Sequence, residues 1–232
     1  MYLEPSCLSL WRDSLCEEVK QFRSFVEALE AFLSEQSRKS GEAFQASSTG
    51  MTDELRFEHA EWASDYFRSV EHDLPRILRY SLFVHAYSTI EFTLEGIANL
   101  CNREWKLSLS PSDLKGKGIR RAKDYLKKVA GVELPAKGRL WEDMCVLADI
   151  RNLVVHNSGF LPEDGKRETQ IEAFLAGWRN YVRLDDVRRF SFEPGFVIRV
   201  LDVFQPLLKE LLDSLESEEE KRTSIKSNSH AP

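Results

Sequence analysis

The sequence predicts one folded domain of the all-α class, and three observations support this prediction. Apolar residues recur at spacings of three, four and seven over most of the chain, as amphipathic helices require. The composition, 42% apolar and 30% charged, is typical of a folded globular protein. A chain of 232 residues also suits one large domain. We therefore expect a helical core over residues 75–215, an N-terminal helical extension over 1–74 and a disordered polar tail over 216–232.

The N-terminal extension is predicted to contain two helices joined by a loop. Residues 9–35 place apolar side chains on one face, and a second helix is expected over 52–72. The apolar face of the first helix consists of Trp11, Leu15, Phe22, Val26, Leu29 and Leu33. The intervening stretch, 37–50, is polar and contains serine and glycine, which favours a loop.

The longest predicted helix covers residues 75–105 and should lie at the centre of the bundle. Pro75 suits its first turn, where a backbone N–H has no helical acceptor. Its main apolar stripe consists of Leu74, Leu78, Leu82, Ala86, Ile90, Leu94, Ile97, Cys101 and Trp105. Further apolar side chains on neighbouring faces indicate that other elements contact this helix on several sides.

Two further helices are predicted from their end signals. Residues 110–113 combine a capping serine, a proline and an acidic residue, so a basic helix should begin there and end near Gly131 and Pro135. The next helix should begin near residue 137 and stop at 157–159, which is a plausible C-terminal cap. Its apolar face consists of Leu140, Met144, Leu147 and Val154.

The last part of the core is predicted to be mixed. A short helix is expected over 169–178, followed by a small hairpin or an extended arm over 181–192. A final helix should cover 197–215 and bend at Pro206, because proline cannot donate a helical hydrogen bond. Beyond residue 216 the chain is charged and polar, which favours disorder.

The charge distribution singles out one segment. The chain has a net charge of −6, yet residues 115–139 contain nine basic and two acidic side chains. Basic side chains give sequence-independent affinity for phosphates, so this segment is a candidate RNA contact. The candidate residues are Lys115, Lys117, Arg120, Arg121, Lys123, Lys127 and Lys128. The alternative is a solvated helix face, the commoner explanation for a run of charges.

The sequence indicates no membrane segment and no metal site. No stretch approaches the roughly 20 apolar residues of a membrane span, and the N-terminus lacks the pattern of a secretory signal. The four cysteines are scattered, without a C-x-x-C pair or a histidine at zinc spacing. We therefore expect a cytoplasmic protein with reduced cysteines, no metal and no cofactor.

A row of polar residues accompanies the helix that ends near residue 157. Arg151 lies three residues before Val154 and so interrupts the apolar stripe of that helix. An arginine at such a position needs a partner or a function. Asp149, Asn152 and His156 follow one another at spacings of three and four, so they line one side of the helix. The row is suited to a cleft or an interface.

This motif resembles the R-x4-6-H signature of the HEPN superfamily. Arg151 and Asn152 are followed by three apolar residues and then His156, and residues 81–91 are similar to the helix that pairs with the motif helix in that superfamily. The resemblance covers residues 75–215. It implies a compact helical bundle that dimerises and cleaves RNA without metal, in toxin–antitoxin or phage-defence systems. His156 is followed by Asn157, so the tyrosine that is modified in one group of HEPN toxins is absent.

The resemblance also implies roles for individual residues. Arg151 and His156 would be the catalytic pair, and Asn152 would position the RNA phosphate. Glu91 and Asp149 are candidates for orienting that pair. The structural alternatives are an ion pair for Arg151, a helix-capping role for His156, a backbone contact for Asn152 and a solvent-exposed Glu91.

The chemistry is consistent with these roles. Attack by the ribose 2′-hydroxyl needs a base, an acid and positive charge at the phosphate; histidine titrates near neutral pH and arginine grips two oxygens. Five residues on a helix correspond to about 140° of rotation, so Arg151 and His156 of one chain do not converge. A homodimer would supply complementary pairs.

The predicted function is thus a metal-independent endoribonuclease with RNA, a second copy and an antitoxin or defence protein as partners. The alternatives are a noncatalytic HEPN-type dimerising module that binds RNA, a nucleotide or a protein, and a scaffold without a nucleic-acid role.

Overall fold

The computed structural model describes residues 7–134, 139–163 and 165–228. These residues form helices and one small antiparallel hairpin, which confirms the predicted all-α class and the hairpin near 181–192. The helices are α1 (Cys7–Ser47), α2 (Asp53–Arg68), α3 (Leu74–Trp105), α4 (Gly118–Lys128), α5 (Leu140–His156), α6 (Lys166–Trp178) and α7 (Phe196–Asn228). The hairpin consists of β1 (Val182–Leu184) and β2 (Phe190–Phe192). The ends of the predicted extension and tail, 1–6 and 229–232, lie outside the described residues.

Helix α3 lies at the centre and packs against α4, α5, α7 and β2. Its fully enclosed side chains include Phe83, Tyr87, Leu94 and Ile97, as its apolar faces predicted. The hairpin is tied to α3 by Tyr80, whose hydroxyl donates to the backbone carbonyl of Phe190 at 2.5 Å. Within the described residues no helix is both long and apolar enough to cross a membrane.

Helix α1 is longer than the sequence predicted, because it continues to Ser47 through most of the expected loop. The ring of Phe44 stacks on His59 of α2 at 5.3 Å and meets Phe67 edge-on at 5.0 Å. The hydroxyl of Ser47 lies 2.8 Å from Nε2 of His59. These contacts between helices stabilise a segment whose own composition favours a loop.

A single π-helical turn, Ser69–Asp73, joins α2 to α3 without a break. The sequence predicted a boundary between two helices at this point. Pro75 occupies the first turn of α3, as expected. A π turn pairs residues five apart and changes the rotation between the flanking helices. The two predicted helices therefore form one continuous helical path.

The basic helix begins later than its capping signal predicted. The capping box of Ser110 and Asp113 is present, but it starts a short 3₁₀ turn, Pro111–Asp113. Helix α4 begins only at Gly118, after a loop in which Gly116 has a φ of +103°. Such a conformation interrupts a helix and is accessible mainly to glycine.

The chain beyond residue 216 differs from the predicted disordered tail, because α7 continues as a helix to Asn228. Arg222 donates to the backbone carbonyl of Ala130 at 2.8 Å and to Glu218 at 3.0 Å. Its guanidinium also lies 4.4 Å from the centre of the Trp105 ring. These contacts dock the polar end of α7 on the bundle, a result that composition does not reveal.

Candidate functional site

The motif residues lie on the second half of α5, where that helix packs on α3. Arg151 is half-buried, whereas Asn152 and His156 are exposed. Helix α5 ends at His156, and the N–H of Gly159 donates to the carbonyl of Leu153 at 3.0 Å. The predicted cap at 157–159 is therefore present, and it places His156 in the last turn.

The structure brings Arg151 and Glu91 together. Nη2 of Arg151 donates to Oε2 of Glu91 on α3 at 2.5 Å. The two side chains are 20% and 28% exposed, so the pair is partly shielded from water. A charge-assisted hydrogen bond in such surroundings fixes the guanidinium more firmly than a surface ion pair does.

Tyr87 of α3 is a second neighbour of Arg151. Its ring centre lies 5.3 Å from the guanidinium carbon, which is a cation–π contact. Its hydroxyl donates to the carbonyl of Met144 at 3.0 Å, and burial raises the pKa of Tyr87 above its ordinary value. Tyr87 and Glu91 are four residues apart and share one face of α3, a spacing that could have indicated their common contact.

Arg151 keeps hydrogen-bonding capacity beyond the pair with Glu91. A guanidinium carries five N–H donors, and among the described residues one hydrogen bond from its side chain is formed. Its Nε is buried and meets no acceptor within the described part of the chain. One fifth of the side-chain surface remains accessible to solvent.

The first turn of α4 packs against the same carboxylate. Gly118 has a φ of +55°, and a Cβ at this position would overlap Oε1 of Glu91. A carboxylate near a helix N-terminus is stabilised by the helix dipole. Glu91 therefore lies between the start of α4 and Arg151, and a larger residue at 118 would displace it.

Asp149 does not join the group around Arg151. Its carboxylate accepts from Nη2 of Arg120 at 2.9 Å, and the same nitrogen donates to the carbonyl of Cys145 at 3.1 Å. The neighbouring Arg121 pairs with Glu95 of α3 at 2.8 Å. Both arginines thus connect α4 to the helices beneath it.

Some basic side chains of the segment 115–139 already contact other residues of the chain. Lys128 pairs with Asp124 at 3.0 Å, and Nζ of Lys123 lies 5.4 Å from the centre of the Trp141 ring. By contrast, Lys115, Lys117 and Lys127 are exposed and have no ion-pair partner among the described residues. Lys115, Lys117 and Lys127 are therefore the basic side chains of this segment with neither an ion pair nor a cation–π contact among the described residues.

Asn152 and His156 are free on the surface of α5. Within the described part of the chain, no side chain forms a hydrogen bond with either of them. Five residues along a helix correspond to a rise of about 7.5 Å and a rotation of about 140°. His156 and Arg151 of one chain consequently point in different directions.

No protein-family model, no curated protein and no solved structure matches this chain. The described residues also contain no group of three or more His, Cys, Asp or Glu side chains that could hold a metal ion. The functional assignment therefore depends on the motif, its neighbours and their chemistry.

Proposed function

We propose that this chain is a metal-independent endoribonuclease of the HEPN type. The observation that carries the proposal is Arg151, which is fixed by Glu91 and Tyr87 on the helix that ends with an exposed His156. In this function the ribose 2′-hydroxyl attacks the neighbouring phosphate and the 5′-oxygen leaves. The products are a 2′,3′-cyclic phosphate and a 5′-hydroxyl.

Each motif residue has one role in this reaction. Arg151 binds the non-bridging phosphate oxygens and stabilises the charge that builds up in the transition state. His156 transfers a proton from the attacking hydroxyl or to the leaving oxygen, because an imidazole does either near neutral pH. Asn152 lies next to Arg151 and donates a hydrogen bond to the phosphate. Glu91 is a positioning residue, since it touches Arg151 rather than the RNA.

The proposed active form is a homodimer with a composite site. Arg151 and His156 of one chain diverge, so a second copy supplies the complementary residue to the same phosphate. Two exposed apolar side chains offer contact surface for that copy: Phe92, next to Glu91, and Val155, next to His156. Lys115, Lys117 and Lys127 would bind the RNA backbone outside the cleavage point.

The biological setting follows from the resemblance alone. HEPN ribonucleases recur in toxin–antitoxin and phage-defence systems, so we place this chain in such a system, in the cytoplasm, with an antitoxin or defence protein as partner. The basic residues already paired in the structure, Arg120, Arg121 and Lys128, would contribute less to RNA binding than the free lysines.

The test is cleavage of total RNA and of tRNA in EDTA by the wild type, Arg151→Ala and His156→Ala. Both variants should lose activity by roughly a hundredfold or more, because each removes a group that acts in the transition state. Arg103→Ala is the matched control, since this arginine is exposed and pairs only with the adjacent Glu104 among the described residues. Circular dichroism and sedimentation must first show equal folding and equal oligomeric state. Undiminished cutting by both motif variants would refute the proposal.

One observation favours the noncatalytic alternative. His156 has no hydrogen-bond partner among the described residues that would orient its ring for proton transfer. If a folded dimer binds RNA, a nucleotide or a protein but leaves RNA intact in the same assay, the chain is a binding module. The same cleavage experiment therefore distinguishes the two functions.

A further inference from the structure

Helix α2 carries a row of exposed apolar side chains that the core does not use. Leu55, Trp62 and Tyr66 are spaced by seven and four residues, so they share one face of the helix. Each of them is more than half exposed, and Trp62 reaches 82%. Ala63 is the buried residue of this helix. Exposed apolar side chains that share one face of a helix are candidates for an interaction site.

The central residue of the row is held in place by a stack of rings. Phe44 and His59 lie 5.3 Å apart and within 3° of parallel, and Trp62 continues the stack at 6.2 Å and 16°. His59 is fixed in turn by the hydroxyl of Ser47 at 2.8 Å. The outer face of Trp62 is thus an exposed and oriented aromatic surface.

A row of carboxylates runs beside the apolar row. Its members are Glu54, Glu58, Glu61 and Asp65, which are spaced by four, three and four residues and are all exposed. No lysine or arginine of the described residues forms an ion pair with any of the four. Like charges four residues apart destabilise a helix, so this row is unfavourable in the isolated chain. A cationic partner would relieve that repulsion.

We propose that these two rows form a docking surface for a cationic, amphipathic segment of another protein. An apolar row of the partner covers Leu55, Trp62 and Tyr66, and its lysines or arginines face the carboxylates. An arginine stacked on Trp62 adds a cation–π contact. RNA is not the occupant, because the carboxylates repel phosphates. This surface is separate from the residues of the proposed ribonuclease, and it does not depend on that activity.

The test titrates the full chain into a fluorescein-labelled helical peptide of about 18 residues, with a leucine row and an arginine row. Anisotropy reports binding. The double substitution Trp62→Ala and Tyr66→Ala should weaken peptide binding by roughly tenfold or more, as the loss of aromatic anchors does. Replacing Glu58, Glu61 and Asp65 by their amides should weaken it similarly at low salt and reduce its salt dependence.

Phe57→Ala is the matched control, because Phe57 is 72% exposed on the same helix but on another face. This variant should bind like the wild type. The proposal is overturned if Phe57→Ala loses as much affinity, if the peptide with glutamates in place of arginines binds equally well, or if no peptide binds. It is also overturned if sedimentation shows that the chain associates with itself through Trp62, because the occupant is then a second copy.

Discussion

Arg151 has two neighbours on one face of α3, and the geometry of this group decides what each substitution does. Glu91 balances its charge, Tyr87 lies beneath its guanidinium, and Gly118 of α4 packs on the carboxylate. The group is partly shielded from water, so the attraction between its charges is stronger than on the open surface. Removal of one charged side chain of this group leaves the opposite charge partly buried and without its partner.

Glu91→Gln should lower the free energy of unfolding by about 1–2 kcal/mol, because it leaves a partly buried guanidinium without its counter-charge. Glu104→Gln is the control, since its pair with Arg103 is largely exposed; it should cost less than about 0.5 kcal/mol. Urea denaturation of both variants measures the difference. Equal losses would mean that the pair at Arg151 is no stronger than a surface pair.

For single residues, the sequence predicted part of the candidate site around Arg151. Arg151 interrupts an apolar stripe, and this pattern alone indicated that it needs a partner. The sequence predicts Glu91 as a neighbour of the motif, because it lies on the helix expected to face it. The sequence predicted neither the contact of Tyr87 with Arg151 nor the ion pair of Asp149 with Arg120. Both contacts depend on how α3, α4 and α5 are rotated against one another. Helical spacing within one element does not determine that rotation.

At the scale of elements, the turn after α5 holds the motif helix in place. Gly159 has a φ of +82°, and a Cβ there would overlap the hydroxyl of Tyr80. That hydroxyl cannot move freely, because it is buried and donates to the carbonyl of Phe190. The end of α5, the centre of α3 and strand β2 therefore meet at one point.

Gly159→Ala should destabilise the fold through both backbone strain and this overlap. Gly50→Ala is a closely matched control, since Gly50 has a φ of +83° but no atom within 4 Å of the added Cβ. Both variants carry the cost of a left-handed alanine, about 1 kcal/mol. Gly159→Ala should cost about 1–3 kcal/mol more. If chemical denaturation gives the two variants the same stability, the contact with Tyr80 is not tight.

The docked end of α7 gives a second prediction for an element. Arg222→Ala should cost about 1–2 kcal/mol, because it removes the hydrogen bond to Ala130 and the contact with the Trp105 ring. Lys221→Ala, one position earlier on the more exposed side of the helix, should change stability by less than about 0.5 kcal/mol. Thermal and urea unfolding measure both. If the two variants have the same stability, the contacts of Arg222 do not dock the end of α7. That result would support the disordered tail that composition predicts.

Periodicity predicted the presence of the helices better than their ends. The apolar stripes of α3, α5 and α7 are long and regular, so their identity as helices is clear from the sequence. The C-terminal segments of α1 and α7 are mostly polar, and Phe44 and Arg222 stabilise them through contacts with distant residues. The start of α4 depends on the positive φ of Gly116 and Gly118. Neither effect leaves a periodic signal.

At the scale of the whole molecule, the divergence of Arg151 and His156 predicts a shared site. Co-expression of Arg151→Ala with His156→Ala should restore part of the proposed ribonuclease activity, because each mixed dimer combines an intact His156 from one chain with an intact Arg151 from the other. The mixture is compared with each variant alone at equal concentration. Activity that stays at the level of the single variants would argue against a site shared between two chains.

The most direct test of the ribonuclease proposal is the dependence of cleavage on the ribose 2′-hydroxyl. The wild-type protein is incubated in EDTA with an RNA and with the same RNA carrying 2′-O-methyl riboses, and the ends of the fragments are identified. The account predicts that only the unmodified RNA is cut and that its fragments end in a 2′,3′-cyclic phosphate and a 5′-hydroxyl. Fragments with a 5′-phosphate, cutting of the methylated RNA, or intact RNA from a folded dimer would contradict it.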